Sequence, residues 1–413
     1  MCHAKQLLLS YGVPVENIIL FMANDVATSQ DNPFPGRLYN APTPAGTAGV
    51  DVYSGCYDSL QGYYGENVTA ANFLSALTGT PTGIGPVLAS TSRSKVFINL
   101  VDHGGAGLFA FPYDLLYADQ LADALALMSA RNMYRELVFF LESCESGSML
   151  QGLPRNSSVY ALSASSPTES SWGIFCPGEG AGDSVNGTEL DTCLGDLFSI
   201  TWMSVLQANC SSSNSSPGEP LCGQSLRENF QLTSARVNLS TVMAWGDPSF
   251  QDSAIGGWVT DGQWPFPPTG APPPSPYPPT PHAISSRNAS RASLQRRLTL
   301  NPSSPALLAE LSELSAREAR QARGMDTLRA RTPPHAAAAA AGSPALTGSG
   351  WACYRRLVGT FEGLFGRLSD YTLLYAAELQ RACQELPVQQ HLNLSALFVC
   401  VSPPPPLLSS TTR

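Results

Sequence analysis

Two short stretches hold the residues best suited to covalent chemistry: Asp102-His103-Gly104-Gly105, and Glu142-Ser143-Cys144-Glu145-Ser146-Gly147-Ser148. A thiol attacks a carbonyl only as thiolate, and a neighbouring imidazole both favours that form and later protonates the leaving amine. A tetrahedral intermediate also needs backbone N–H donors that nothing obstructs, and Gly104 with Cys144 can supply an oxyanion site of that kind. Each residue alone has an ordinary explanation. A cysteine after a strand is commonly an inert small hydrophobe, and a histidine at a strand end is commonly structural.

What gives the two stretches meaning is the elements that carry them. Val96 to Val101 (VFINLV) and Glu136 to Leu141 (ELVFFL) are nearly continuous apolar runs, the pattern of strands covered on both faces. A helical stretch from about Leu115 to Met133 separates them, making a strand–helix–strand unit with a parallel pairing. In open α/β sheets ligands collect outside the carboxyl ends of the strands, and neighbouring strands lie about 4.8 Å apart. Adjacent strands would therefore bring His103 beside Cys144. Of the other histidines, His3 sits on an opening helix, and His282, His335 and His391 fall in spacer or tail. A buried strand from Ile18 to Met22 and a weaker one from Val159 to Ala164 complete an α/β reading of residues 1–250.

Composition narrows the function classes. The net charge of −9 divides unevenly: residues 1–280 carry 9 Lys/Arg against 24 Asp/Glu, and residues 281–413 carry 14 Arg against 8 Asp/Glu. An acidic body argues against nucleic-acid binding, which needs clustered cations, and favours attraction between body and tail. No apolar run approaches the ~20 residues of a membrane-spanning helix. No Cys-x-x-Cys or His-x-x-x-His spacing predicts a metal site, and no phosphate or dinucleotide fingerprint predicts a cofactor.

Eight Asn-x-Ser/Thr sequons, at Asn67, Asn156, Asn186, Asn209, Asn214, Asn238, Asn288 and Asn393, accompany ten cysteines. Cys176 with Cys193, and Cys210 with Cys222, bracket short polar loops that a disulfide would close, which predicts passage through the secretory pathway. The opening MCHAKQLLLSYGVP has helical spacing rather than the pattern of a leader, so a further amino-terminal segment is expected. After Trp245 the character changes. Ten of the seventeen residues from Pro265 to Pro281 are proline, so 251–302 reads as a linker. Residues 303–332 then read as an amphipathic basic helix, 333–350 as an Ala/Gly linker, 351–400 as a helical region containing Cys353, Cys383 and Cys400, and 401–413 as a disordered tail.

The segments VFINLVDHGG and ELVFFLESCESGSM resemble the legumains, the asparaginyl endopeptidases or vacuolar processing enzymes among the caspase-like cysteine peptidases. NPFPGRLYN at 32–40, DVYSG at 51–55, YYGENVTAANFLSAL at 63–77, SPTESSWGIFCPGE at 166–179, CLGDLFSITWM at 193–203 and VNLSTVMAWGD at 237–247 extend the likeness over nearly all of residues 1–250. The resemblance implies a caspase-like, mostly parallel sheet flanked by helices, with a small all-helical C-terminal prodomain at 351–400. It makes Cys144 the nucleophile, His103 the general base and acid, and Gly104 with Cys144 the oxyanion donors. It places Glu142, Ser170, Ser171, Trp172 and Asp196 around the substrate Asn side chain. Carboxylates there make physical sense, because an amide offers N–H donors to acidic acceptors.

Against that family the chain lacks the strand preceding the MCHAK helix, which there supplies an Asn orienting the histidine and an Arg completing the pocket. The sheet is expected to show a gap where that strand would lie. A Cys353–Cys383 disulfide is also implied, leaving Cys400 without a partner.

The reading that results is a cysteine endopeptidase zymogen needing no cofactor. It cuts after Asn and less readily Asp, and works as a ligase where an amine replaces water. Its substrates are proteins and peptides, its own prodomain is an intramolecular inhibitor, and its compartment is the vacuole or lysosome. The basic helix around Arg317, Arg320, Arg323, Arg329 and Arg331 would cover the acidic cleft at neutral pH and loosen on acidification. Two other readings stand beside it: a catalytically silent binding or sorting protein, and a subunit like that of the glycosylphosphatidylinositol transamidase, which shares the His-Gly and Cys loops.

Overall fold

The computed structural model describes residues 1–58, 60–178, 182–210, 223–259, 282–331, 346 and 348–385. They fall into two compact units, Met1–Ser304 and a second beginning at Pro305. In the first unit the chain runs α1 (Cys2–Ser10), β1 (Leu20–Met22), β2 (Gly62–Tyr64), α2 (Ala70–Leu77), β3 (Lys95–Val101), β4 (Gly104–Gly105), β5 (Leu108–Ala110), β6 (Leu115–Tyr117) and α3 (Ala118–Ala130). It continues through β7 (Glu136–Glu142), α4 (Gly147–Leu150), β8 (Val159–Ser163), β9 (Trp172–Ile174), β10 (Ser184–Val185), β11 (Thr188–Glu189), β12 (Gly195–Asp196) and α5 (Leu197–Cys210). After α6 (Leu226–Arg236), β13 (Met243–Gly246) and α7 (Gly256–Val259), it closes with β14 (Ile284–Ser285) and α8 (Ala289–Leu300).

The central sheet has the order β13-β8-β7-β3, with β3, β7 and β8 parallel and β13 antiparallel at one edge. Leu137 to Leu141 on β7 are fully buried. A strand enclosed on both faces selects an unbroken apolar run, which is why ELVFFL has no polar alternation. β3 is the opposite edge, and there Val96, Ile98 and Leu100 are buried while their neighbours are only partly covered. One face of the sheet, including Val138, Phe140, Tyr160 and Leu162, packs with Ala4 and Leu7 of α1 and Tyr11 just after it, Phe198 and Trp202 of α5, and Trp258 and Val259 of α7. The architecture is a mixed α/β domain whose mostly parallel sheet is flanked by helices.

β1 pairs with β2 in a separate two-stranded parallel sheet and is not hydrogen-bonded to β3. The helix expected from Leu115 starts at Ala118 instead. Leu115 to Tyr117 are drawn into an antiparallel pair with β5, and the Tyr117 N–H then donates to Gln120 Oε1 at the helix start, 3.1 Å away. Residues 284–300, which the sequence places at the end of the proline-rich linker, form β14 and α8 within the first unit. β14 adds to β9 as an antiparallel strand, so backbone pairing, not side-chain hydrophobicity, orders it.

Disulfides join Cys2 to Cys56 and Cys176 to Cys193 in the first unit, and Cys353 to Cys383 in the second. The Cys2–Cys56 pair is not anticipated from sequence, because two cysteines 54 positions apart give no spacing signal. Cys222 and Cys400 lie outside the described residues, as do Asn214 and Asn393 and the side chains of Asn209 and Cys210; Asn67, Asn156, Asn186, Asn238 and Asn288 are exposed. The second unit holds α9 (Pro305–Arg329), α10 (Gly348–Phe365) and α11 (Ala376–Glu385), with the disulfide joining α10 to α11. Pro305 suits the first position of α9, where a backbone N–H has no helical partner to lose. The helical reading of 386–400 lies outside the described residues.

Candidate active site

β3 and β7 pair in register from Lys95–Glu136 to Val101–Glu142, and the Asp102 N–H continues the ladder to the Glu142 carbonyl at 3.2 Å. His103 and Cys144 each come two residues beyond the last pair. The two loops touch: a Cβ built on Gly104 would lie 2.7 Å from the Cys144 carbonyl oxygen and 2.7 Å from Ser143 Oγ. Glycine is needed there because no side chain fits between the loops. The β4–β5 pairing holds Gly104 in place, and the Ala110 N–H donates to the His103 carbonyl at 2.9 Å.

Cys144 is a free thiol, 1% exposed. The Ser171 N–H donates to its sulfur at 3.4 Å, and Ser171 Oγ lies 3.6 Å from it. The loop that presents Cys144 is braced by buried serines. The Ser146 N–H donates to Ser165 Oγ (3.2 Å), the Ser165 N–H returns to Ser146 Oγ (3.0 Å), and Ser165 Oγ donates to the Ser143 carbonyl (3.1 Å). Ser148 ties the two candidate loops together, accepting from the Gly107 N–H at 2.7 Å while its hydroxyl donates to the Glu145 carbonyl at 2.6 Å. Glu145 itself takes a positive φ of 54°, an uncommon conformation for a residue with a Cβ, in the turn that follows the cysteine.

Two carboxyl groups, Glu142 and Asp196, lie close enough to act on each other. Glu142 is 2% exposed; its Oε2 accepts from the Ser199 N–H at 2.7 Å and its Oε1 has no partner. Burial, reinforced by the nearby Asp196 carboxylate, pushes the Glu142 carboxyl well above the ordinary range. Asp196, at the end of β12, is also raised by burial, with His103 opposing, and it is hydrogen-bonded by the Ser286 side chain. β12 pairs with β9, so Asp196 sits opposite Gly173, and the Cys176–Cys193 disulfide links the segments carrying the two strands. Ser170 and Trp172 are half-buried on either side of Ser171. The structure therefore brings Cys144, Gly104, Glu142, Ser171 and Asp196 together, with His103 on the adjoining loop. A cavity of about 740 Å³ opens beside Asp196 and Ser199, walled also by His3, Asn40 and Asn99; Cys144 and His103 do not line it. His3 faces that cavity, with Asn40 Nδ2 2.7 Å from its Nδ1, and burial pushes the imidazole down to about 4.

Three residues at the site escape sequence reasoning: Glu145, Ser286 and Arg287. β14 lies along β9 with Ser285 opposite Trp172, and the Ser286 N–H donates to the Ser171 carbonyl at 3.0 Å. Ser171 Oγ donates to Ser286 Oγ at 3.1 Å, and the buried Arg287 guanidinium pairs with Glu145 at 3.1 Å. Burial raises Glu145 to about 7 even though Arg287 opposes the shift. The one sequence signal was an arginine opposite an acidic body, and it did not specify a location.

Residues 1–261 match the peptidase C13 family. Legumain from Bos taurus is 37% identical over 253 residues, 60% of this chain and 52% of the relative. Vacuolar-processing enzyme from Citrus sinensis is 44% identical over 209 residues, 49% of this chain and 40% of the relative. The Vicia sativa vacuolar-processing enzyme is 39% identical over 257 residues, 60% and 48% respectively. The chain spans about half the length of the curated relatives it matches. With the family match extending over the whole sheet and both strand-end loops, the chain belongs to the peptidase C13 family.

Proposed function

We propose that the chain is a legumain-like cysteine endopeptidase in zymogen form, cutting peptide bonds after Asn and less readily after Asp. The observation that carries the reading is the junction of the two strand ends: the His103 loop packs on the Cys144 loop, and the sulfur receives the Ser171 N–H. In the proposed reaction Cys144 Sγ attacks the carbonyl carbon of the substrate Asn. The proton held by His103 passes to the departing amine as the C–N bond breaks, leaving a thioester on Cys144. Water, deprotonated by His103, then releases the acid; an amine in its place gives a new peptide bond. Gly104 and Cys144 N–H groups take the oxyanion, and Glu142 with Asp196 receive the Asn amide protons, which the unpartnered Glu142 Oε1 favours.

The zymogen part of the reading rests on two supports. The β14 segment occupies the edge of β9 that an extended substrate would use, and the charge of the chain divides between an acidic body and a basic tail. The helical unit from Pro305 is then the intramolecular inhibitor, and the compartment is the vacuole or lysosome of the named relatives. The test is hydrolysis of matched peptides with Asn, Asp or Gln before the scissile bond by the full chain across pH 4 to 7, with Cys144→Ala as control. Asn is expected first, Asp second and Gln uncut; a chain that cuts none of them above the control would end the reading.

A further inference from the structure

The order of residues across the candidate nucleophile carries specificity information beyond the Asn pocket. β14 runs antiparallel to β9, so the direction of the chain over the site is fixed by backbone pairing. Ser286 is bonded to Ser171 through both its N–H and its hydroxyl, and its side chain reaches Asp196. The next residue, Arg287, is 8% exposed and sets its guanidinium 3.1 Å from a carboxylate oxygen of Glu145, the residue that follows Cys144. The Ser286 and Arg287 side chains thus bracket the nucleophile, one at the acidic Asn pocket and the other one residue past it. Glu145 Oε2 has no hydrogen-bond partner, so the carboxylate retains acceptor capacity.

Resting on the endopeptidase reading above, we infer that Glu145 forms a subsite for a basic residue immediately after the scissile bond. Ser286-Arg287 occupies the path as an uncut stand-in, because serine carries no amide for Glu142 and Asp196 to hold. A cation at this position meets a carboxylate already held out of water, where a charge-assisted contact is stronger than at the surface. An acidic residue there is repelled.

Three peptides identical except for Arg, Ala or Glu after the Asn test this on the full chain, first held at pH 4 to release the proposed inhibitory segment and then assayed at pH 7.5. The Arg peptide is expected to show a kcat/KM about tenfold above Ala, the size expected of one partly buried charge-assisted contact, with Glu slowest. Glu145→Gln should bring the Arg:Ala ratio below about twofold, and Glu145→Lys should invert the order in favour of Glu. Equal rates in the unmutated chain, or an Arg advantage that survives both substitutions, would overturn the subsite while leaving the peptidase reading intact. No cleavage of any of the three would overturn the peptidase reading itself. Ser286→Asn gives a second measurement: mass spectrometry should find a new amino terminus at Arg287, absent when Cys144→Ala is added. A chain that cuts the peptides but leaves that bond whole would refute the placement.

Discussion

Val101 pairs with Glu142 across parallel strands, and that register delivers His103 and Cys144 to matched positions two residues further on. Parallel pairing keeps both chains in phase, so the loops leave the sheet together, and Gly104 lets them close to contact. His103→Ala is accordingly expected to lower kcat on an Asn peptide by about 10³-fold, the scale of losing the proposed general acid–base. KM should change little, and the melting temperature should stay within a few degrees because His103 is only half-buried. A His103→Ala chain that retains a tenth of its activity would remove the histidine from the reaction.

Gly104→Ala places a methyl 2.7 Å from the Cys144 carbonyl oxygen and from Ser143 Oγ. Both neighbours belong to a loop fixed by the Ser146–Ser165 hydrogen bonds, so the loops must separate. A loss of about 1–3 kcal/mol in stability is expected, as for overpacking of a well-packed site, with kcat reduced at least 10²-fold through displacement of the proposed oxyanion donor. Chemical denaturation together with steady-state kinetics measures both. Full activity would show that the gap between the loops is not required.

Much of this site was legible because its chemistry lies at the ends of apolar strands. VFINLV and ELVFFL need no tertiary information to be recognised, and the residues that follow them must emerge at one edge of the sheet. Glu145 and Arg287 are different. Their partnership depends on β14 joining β9, a pairing of backbone groups that leaves no periodic trace in the short segment Ile284-Ser285-Ser286-Arg287. Cys2–Cys56 was hidden for a related reason, since it joins α1 to a loop 54 positions on, a pairing set by tertiary packing.

Glu142→Gln tests the proposed Asn pocket. Burial and Asp196 hold the carboxyl high, and its Oε1 has no partner, so it is open to the substrate amide. An amide in its place has one fewer acceptor and presents N–H groups toward the substrate amide. We expect kcat/KM for Asn peptides to fall about 10–100-fold, the cost of one mismatched buried polar contact, with Asp peptides affected less, so that the Asn:Asp ratio narrows. A ratio that stays constant would place amide recognition elsewhere.

Glu145 makes stability depend on pH in a defined direction. Burial raises its pKa from an ordinary 4.5 to about 7 in the folded chain, so the folded state holds the proton more tightly than the unfolded state. The stabilisation from this group is fully present below 4.5 and is lost as pH rises through 7. The shift corresponds to about 3 kcal/mol between those limits. Glu145→Gln cannot titrate, so the difference in unfolding free energy between the two proteins should move by that amount in favour of the variant from pH 4.5 to 8. Denaturant titrations at four pH values measure it, and parallel curves would show that Glu145 is not held in an apolar setting.

The Cys176–Cys193 disulfide joins positions 17 apart, between the strand that carries Trp172 and the segment leading to Asp196. β9 and β12 are short, with only Gly195–Ile174 and Asp196–Gly173 paired, and Gly173 lies close against both cysteines. The covalent link is therefore what holds Asp196 opposite the Ser171 side of the site when no peptide lies along β9. Replacing both cysteines by serine is expected to cost about 2–4 kcal/mol of stability, which is a matter of the unfolded chain. The functional effect should be separate: on the proposed roles, a looser β9–β12 pair places Asp196 less often where it would accept the substrate amide, which raises KM for Asn peptides several-fold while kcat, proposed to be set at Cys144 and His103, changes less. A kcat loss with unchanged KM would mean that the disulfide supports the nucleophile loop instead, and unchanged kinetics with lowered stability would confine its role to folding.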